Sequence, residues 1–157
     1  MNLLRSKIGP TYPRLATIIS AIIIAAATVS PTAHACWEEA GLRYGVNPSL
    51  LVAIARTESS MNPNAINHNR NGSYDLGLMQ INSIWFPILR KYGITEQKLR
   101  QPCFSIHVGA WIMAQNMKRF GNSWDAVGAY NTSNPVGRIA YAQKVYRNLP
   151  LLAAATR

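Results

Sequence analysis

The chain has 157 residues, with 16 Lys and Arg against 6 Asp and Glu, and a formal net charge of +10. This length is enough for one compact domain. The positive charge indicates an anionic partner such as a cell-wall polymer, lipid headgroups or nucleic acid, or it serves solubility alone; charge does not separate these.

The first 35 residues have the three-part layout of a secretory signal peptide. Basic residues precede an apolar run over 18–29, and Ala33-His34-Ala35 forms a small-residue cleavage site. The run is shorter than the roughly 20 residues of a membrane-spanning helix, so we expect no integral membrane segment in the mature chain. We predict a periplasmic or secreted protein. Because it is exported and carries no recognised nucleic-acid-binding motif, nucleic acid is the weakest partner.

Cleavage after residue 35 makes Cys36 the first mature residue, and Cys103 is the other cysteine of the sequence. A lipoprotein signal normally has leucine three positions before its cysteine, where this chain has Ala33. We therefore expect a disulfide between Cys36 and Cys103, formed in an oxidising compartment, with lipidation of Cys36 as the alternative. The disulfide would fix the N-terminal helix against the middle of the chain.

Helix start and stop signals follow one another along the mature chain. They predict helices over 37–44, 47–60, from about 87, over 96–99, 102–120, 124–130 and from 135 to a stop at Pro150. Residues 61–75 have the composition of a loop, with four asparagines between Asn62 and Asn69. We find no alternating strand. The predicted class is mainly α, with a compact single domain over 36–150 and a frayed tail over 151–157.

The second helix places a carboxylic acid on its own apolar face. Leu51, Ile54 and Ala55 fall at i, i+3 and i+4, the spacing of one buried stripe, and Glu58 follows at i+7. Burial and the negative end of the helix dipole both favour the protonated acid, which is the form that a general acid needs. In the alternative, Glu58 ends the helix with its head in water or pairs with an arginine.

Other catalytic signatures are missing from the sequence. It has no zinc-type His/Cys cluster, no nucleophile elbow and no phosphate-binding glycine loop. His68 and His107 stand alone, as structural histidines do. We expect no metal and no cofactor.

Four short motifs stand in order along the chain: Glu58-Ser59, Gly-Leu-Met-Gln-Ile-Asn over 77–82, Ala129-Tyr130-Asn131, and Tyr141. Each alone is weak, but this order and spacing are specific. Together they resemble the lytic transglycosylases of the soluble-lytic-transglycosylase, goose-lysozyme-like class. The likeness is strongest to the small exported members of the invasion-protein type, which accompany secretion and conjugation machines. It covers residues 36 to about 149 and implies a lysozyme-like domain.

The resemblance implies an enzyme that cleaves the β-1,4 bond between N-acetylmuramic acid and N-acetylglucosamine in peptidoglycan and leaves a 1,6-anhydro ring. Glu58 matches the catalytic acid, which protonates the leaving oxygen and then takes the proton of the muramoyl 6-hydroxyl. Tyr141 matches a tyrosine that hydrogen-bonds this glutamate.

The resemblance also implies substrate-binding residues. Ser59 would orient the sugar near its N-acetyl group, Gly77 would let the sugar approach the backbone, and Gln80 would offer amide hydrogen bonds. Tyr130 and Asn131 would lie beneath the scissile bond. Met79 completes the set, although its side chain by itself favours the core. We expect Lys and Arg side chains to help hold the anionic wall.

Several alternatives stay open. Asp75, just before the 77–82 motif, would make the enzyme a hydrolysing muramidase (lysozyme) if it held a water on the far face of the sugar. We prefer Asp75 as a cap of the following turn. The chain could also be a catalytically silent wall-binding assembly protein or, more distantly, a basic membrane-active protein. As partners the resemblance implies peptidoglycan glycan strands and components of a secretion, pilus or conjugation apparatus. We expect a monomer.

Overall fold

A computed structural model describes residues 31–149, and their side chains from Ala35 onward. This part of the chain contains seven helices and one small sheet, so the mainly α prediction is confirmed. The helices are α1 (Pro31–Tyr44), α2 (Pro48–Ser59), α3 (Phe86–Lys91), α4 (Glu96–Leu99), α5 (Pro102–Phe120), α6 (Trp124–Gly128) and α7 (Pro135–Arg147). The strands are β1 (Ile66–His68), β2 (Tyr74–Leu76) and β3 (Ile81–Asn82), and a 3-10 turn, Ser83–Trp85, precedes α3.

The predicted signal peptide, 1–35, lies almost wholly outside the described residues, as does the tail over 151–157. Both stay predictions. Among residues 31–149, no helix is long and apolar enough to cross a membrane. The same part of the chain holds no group of three or more His, Cys, Asp or Glu side chains that could bind a metal.

The helix that ends in Glu58 is fixed at its start by local hydrogen bonding. The side chain of Asn47 accepts a hydrogen bond from the Ser49 N–H at 2.8 Å, and Pro48 occupies the first helical position. The helix stops at Ser60, which is left-handed with φ of 52°. These ends confirm the predicted second helix to within one residue at each end.

The core forms around the long helix α5. Ile106, Ala110 and Met113 of α5 are at most 1% exposed, and Leu51 and Ile54 of α2 are fully buried. The apolar stripe of α2 therefore belongs to the same core, and it fixes the side of the helix on which Glu58 emerges.

The disulfide between Cys36 and Cys103 is present and joins α1 to the first turn of α5. This confirms the expected pairing. Its two cysteines are 67 residues apart in sequence, so closing this loop stabilises the fold by about 4 kcal/mol in the chain-entropy model.

The stretch predicted as loop, 61–75, contains β1 and most of β2, which form a three-stranded antiparallel sheet with β3 in the order β1-β2-β3. The prediction of no strand was wrong because strands of two or three residues are too short to show alternation. Asn67 pairs with Asp75, and Asp75 pairs with Asn82. Directly paired residues point to the same face of a sheet, so this register gathers three polar side chains.

Candidate active site

A polar cleft of ≈ 550 Å³ lies between the end of α2, the sheet, α5 and the turn after α6. Glu58 reaches it from α2, and Asp75 reaches it from β2. Trp85, Ile112 and Asn116 line the side formed by the 3-10 turn and α5, and the turn 129–133 lines the remaining side. The first three sequence motifs therefore meet at one cavity.

Two hydrogen bonds from α7 and the residue after it hold Glu58 in place. Tyr141 of α7 donates a hydrogen bond from its hydroxyl to Oε1 of Glu58 at 2.5 Å. One residue earlier, Thr57 Oγ1 accepts a hydrogen bond at 3.0 Å from the side-chain amide of Asn148, just after α7. The contacts fix the last turn of α2 against α7, so the carboxyl group has a defined position at the cleft.

The pKa of Glu58 is raised from 4.5 to about 7, chiefly because burial removes water from the charged form. The Tyr141 hydrogen bond works against this, since it stabilises the carboxylate. The charge of Asp75 raises the pKa and the charge of Lys144 lowers it. A carboxyl group with a pKa near neutrality can both give and accept a proton, as general acid–base catalysis requires.

Tyr141 and Tyr130 stay protonated in this environment. Burial raises the pKa of both phenols well above the usual value, and the nearby Glu58 adds to the effect. Tyr130 lines the cleft and donates a hydrogen bond to the carbonyl of Met79 at 3.0 Å. Asn131, beside it, is exposed and also lines the cleft.

Gly77 allows protein atoms, not a sugar, to approach closely. Its φ is +82°, and a Cβ at this position would lie 2.4 Å from the carbonyl oxygen of Leu99 and 3.3 Å from Ser105 Oγ. Gly77 is buried and does not line the cleft. The expected sugar contact at Gly77 is therefore corrected: core packing and the left-handed backbone explain the glycine.

The amide of Gln80 is largely occupied inside the protein. Its Nε2 donates to the carbonyls of Gly77 at 2.8 Å and Ala65 at 3.1 Å, while its Oε1 accepts from Asn67 at 2.6 Å. Gln80 lines the cleft at 7% exposure and has a left-handed φ of 47°. Because both amide hydrogens are engaged, Gln80 positions the turn between β2 and β3.

Ser59 and Met79 hold the same turn from beneath and do not line the cleft. Ser59 Oγ donates to the carbonyl of Leu78 at 2.7 Å. Met79 is fully buried, and its N–H donates to Ser105 Oγ at 3.0 Å. The structure places both side chains behind the cleft wall, where they position it.

Asp75 does not cap a turn, so the preferred interpretation of this residue was wrong. It lies within β2, and its two carboxylate oxygens accept hydrogen bonds from Asn82 at 2.7 Å and Asn69 at 2.9 Å. Ser73 Oγ accepts from both asparagine amides at 3.1 Å. These donors orient the Asp75 carboxyl group on the wall of the cleft that contains Glu58.

The Lys and Arg residues that give the described part of the chain its net positive charge do not line this cleft. Among the residues that line it, none is lysine or arginine, and Glu58 and Asp75 supply the charge. The residues that line the cleft therefore give no support to the expectation that basic side chains hold the substrate there, and that expectation stays a prediction for the rest of the surface. The sequence assigned no role to Asn69, Asn82 or Asn116, although the asparagine-rich stretch contains the first and the 77–82 motif ends at the second.

Comparison with known proteins identifies the class. Residues 35–145 match the family described as the transglycosylase SLT domain. Invasion protein IagB of Salmonella typhimurium (strain SL1344) is 49% identical over 118 residues, which cover 72% of this chain and 74% of the relative. Protein IpgF of Shigella flexneri is 42% identical over 127 residues, 78% of this chain and 84% of the relative.

A solved structure shows the same fold. An inactive mutant of the lytic transglycosylase Slt from Pseudomonas aeruginosa superposes with a TM-score of 0.59 at 26% identity, over 76% of this chain. The match covers 24% of that protein, so the chain spans about a quarter of its length. Fold and site together define a lysozyme-like lytic transglycosylase domain. The chain belongs to the SLT-domain family of peptidoglycan lytic transglycosylases.

Proposed function

We propose that the enzyme cleaves the β-1,4 bond between N-acetylmuramic acid and N-acetylglucosamine and closes a 1,6-anhydro ring on the muramoyl product. The observation that carries this proposal is the state of Glu58. It lines a polar cleft, its pKa is about 7, and a buried tyrosine fixes its carboxyl group. One carboxyl group in this state can serve both proton transfers.

The reaction begins with protonated Glu58. Its proton goes to the glycosidic oxygen as the bond from C1 of the muramoyl unit to that oxygen breaks, and the bonding pair leaves with the oxygen. The muramoyl 6-hydroxyl then attacks C1, and the Glu58 carboxylate takes the hydroxyl proton. Glu58 ends the cycle protonated, so neither a water nor a second acid is consumed.

The surroundings of Glu58 suit both halves of this cycle. Burial favours the acid that the first step uses, and the Tyr141 hydrogen bond favours the carboxylate that the second step uses. Tyr130 remains a neutral donor and fastens the 77–82 motif to the turn after α6. Asn131 is exposed in the cleft, where we expect it to contact sugar.

Membership of the transglycosylase SLT family supports a role at the cell wall. The chain shares 49% identity with a protein named for invasion. We infer that the enzyme acts as a monomer in the periplasm, after removal of residues 1–35, and opens the wall locally for a secretion, pilus or conjugation apparatus. The disulfide between Cys36 and Cys103 agrees with an oxidising compartment.

Asp75 favours a second candidate, hydrolysis by a lysozyme-type mechanism. It is a second carboxylate in the same cleft, close enough to raise the pKa of Glu58, and two amides keep it oriented. In an inverting glycosidase such a carboxylate activates a water opposite the acid. We prefer an electrostatic role, in which the Asp75 charge helps to keep Glu58 protonated.

The test compares wild type with Glu58→Gln and Asp75→Asn on purified sacculi. Glu58→Gln keeps the shape of the side chain but removes the transferable proton, so release of soluble muropeptides should fall by at least about 10²- to 10⁴-fold while binding to sacculi persists. Wild-type muropeptides should lack one water relative to hydrolysis products. Release by Glu58→Gln at the wild-type rate would overturn the proposal.

A further inference from the structure

Asn116 stands out on the α5 side of the cleft. It is a polar residue of α5, and it lines the same cavity as Glu58. Its amide nitrogen is shielded from solvent and has no hydrogen-bond partner among the described residues. Such orphaned side-chain groups are uncommon, because a donor withdrawn from water without a partner destabilises the fold.

The amides on the sheet side of the cleft show the contrast. Asn69 and Asn82 donate to Asp75, and Asn67 donates to Gln80. Their polarity is explained by the hydrogen bonds that build the sheet wall. For the Asn116 amide nitrogen the described residues supply no such explanation. A half-turn about its last side-chain torsion exchanges the nitrogen and oxygen with little change in shape, so the donor can face the cleft.

The surface around Asn116 combines this amide with apolar groups. Ile112 lies four residues earlier on α5, hence on the same face, and also lines the cleft at 6% exposure. Trp85 lines the cleft as well and is braced edge-to-face against Trp111 at 5.3 Å between ring centroids. One amide beside isoleucine and indole surface complements a ligand group that has a carbonyl, an N–H and a methyl.

We propose that Asn116 is a recognition residue for the 2-acetamido group of a sugar bound in the cleft. Its amide hydrogen-bonds the acetamido group, and the acetyl methyl packs against Ile112 and Trp85. This proposal rests on the proposed function, since it assumes a glycan in the cleft, and it adds the chemical feature by which the α5 wall selects that glycan. A sugar with a 2-hydroxyl in place of the acetamido group loses both contacts.

The experiment measures calorimetric binding of two neutral β-1,4 hexasaccharides, one of N-acetylglucosamine and one of glucose, to the full chain carrying Glu58→Gln to prevent turnover. Asn116→Leu is added to this background. Gln115→Leu is the matched control, because Gln115 is the neighbouring amide on α5 and does not line the cleft. Loss of one hydrogen-bonded amide should reduce the preference for the N-acetylated oligomer by about threefold to tenfold.

Thermal melting of the same proteins separates recognition from a structural role. Asn116→Leu should melt at the parent temperature or above it, because it removes an unpaired donor from the interior. An unchanged preference, an equal loss in Gln115→Leu, or a lower melting temperature with weaker binding of both oligomers would overturn the role of Asn116 alone. If the parent bound neither oligomer, and wild type released nothing from sacculi, the proposed function would fall with it.

Discussion

The hydrogen bond from Tyr141 to Glu58 predicts how the rate of the enzyme depends on pH. Tyr141→Phe keeps the aromatic ring in place and removes the donor that stabilises the carboxylate form of Glu58. Burial, which raises the pKa of Glu58, is then less opposed. The pKa of Glu58 in the variant should therefore lie above the wild-type value of about 7.

The size of the shift follows from the geometry. The oxygen–oxygen distance of 2.5 Å belongs to the short, charge-assisted class, and Tyr141 is 6% exposed, so water does not readily replace the hydroxyl. A hydrogen bond to a charged group contributes about 1.5–3 kcal/mol, and one pKa unit corresponds to about 1.36 kcal/mol. We expect the pKa of Glu58 to rise by about one to two units.

The assay is muropeptide release from sacculi at saturating substrate across neutral and alkaline pH. Wild-type kcat should fall above about pH 7, where the protonated acid is depleted. In Tyr141→Phe the fall should begin at a pH about one to two units higher. Tyr146→Phe is the control, because Tyr146 is an exposed tyrosine of the same helix. An alkaline limb at the wild-type pH in Tyr141→Phe would refute the reasoning.

Folding raises the pKa of Glu58 from 4.5 to about 7. The contribution of this carboxyl group to the stability of the fold is therefore complete below pH 4.5 and is lost as the pH rises through about 7. In melting experiments, the stability advantage of Glu58→Gln over wild type should grow across that pH range by at most about 3 kcal/mol. An advantage that did not change with pH would argue against burial of the acid. The charge of Lys144 lowers the pKa of Glu58, so Lys144→Gln should move the alkaline limb of the rate profile to slightly higher pH at low salt. The shift should be much smaller at high salt, where the lysine charge is screened, and an equal shift at both salt concentrations would exclude a Coulombic effect. Serine at both Cys36 and Cys103 should lower the free energy of unfolding in urea by about 4 kcal/mol, and an unchanged unfolding midpoint would show that the bridge does not constrain the unfolded chain.

Local rules were sufficient for most of the helices. Asn47 and Asn134 each precede a proline, and in both cases the asparagine side chain accepts hydrogen bonds from the first turn. These signals depend on neighbours in sequence alone, so they can be found without the fold. The register of α2 likewise placed Glu58 on the cleft side, because the apolar stripe determines which face is buried.

Contacts between residues that are apart in the sequence explain the features that the sequence did not predict. Asp75 was expected to cap a turn, but its partners are Asn69 and Asn82, which meet it through the strand register. Strands this short carry no periodic signal. Gln80 faces inward for a similar reason, since its amide bonds depend on where the chain returns after β1. Net charge is a sum over the chain, so it could not show that the cleft itself is free of basic residues.

Digestion of sacculi in isotopically labelled water most directly distinguishes attack by the muramoyl 6-hydroxyl from attack by water. With Glu58 serving both proton transfers, the products should be 1,6-anhydromuropeptides that contain no labelled oxygen, and they should be absent with Glu58→Gln. Asp75→Asn should still form them, at a rate lowered by its effect on the pKa of Glu58. Labelled reducing ends that disappear with Asp75→Asn would contradict this mechanism and identify a hydrolase.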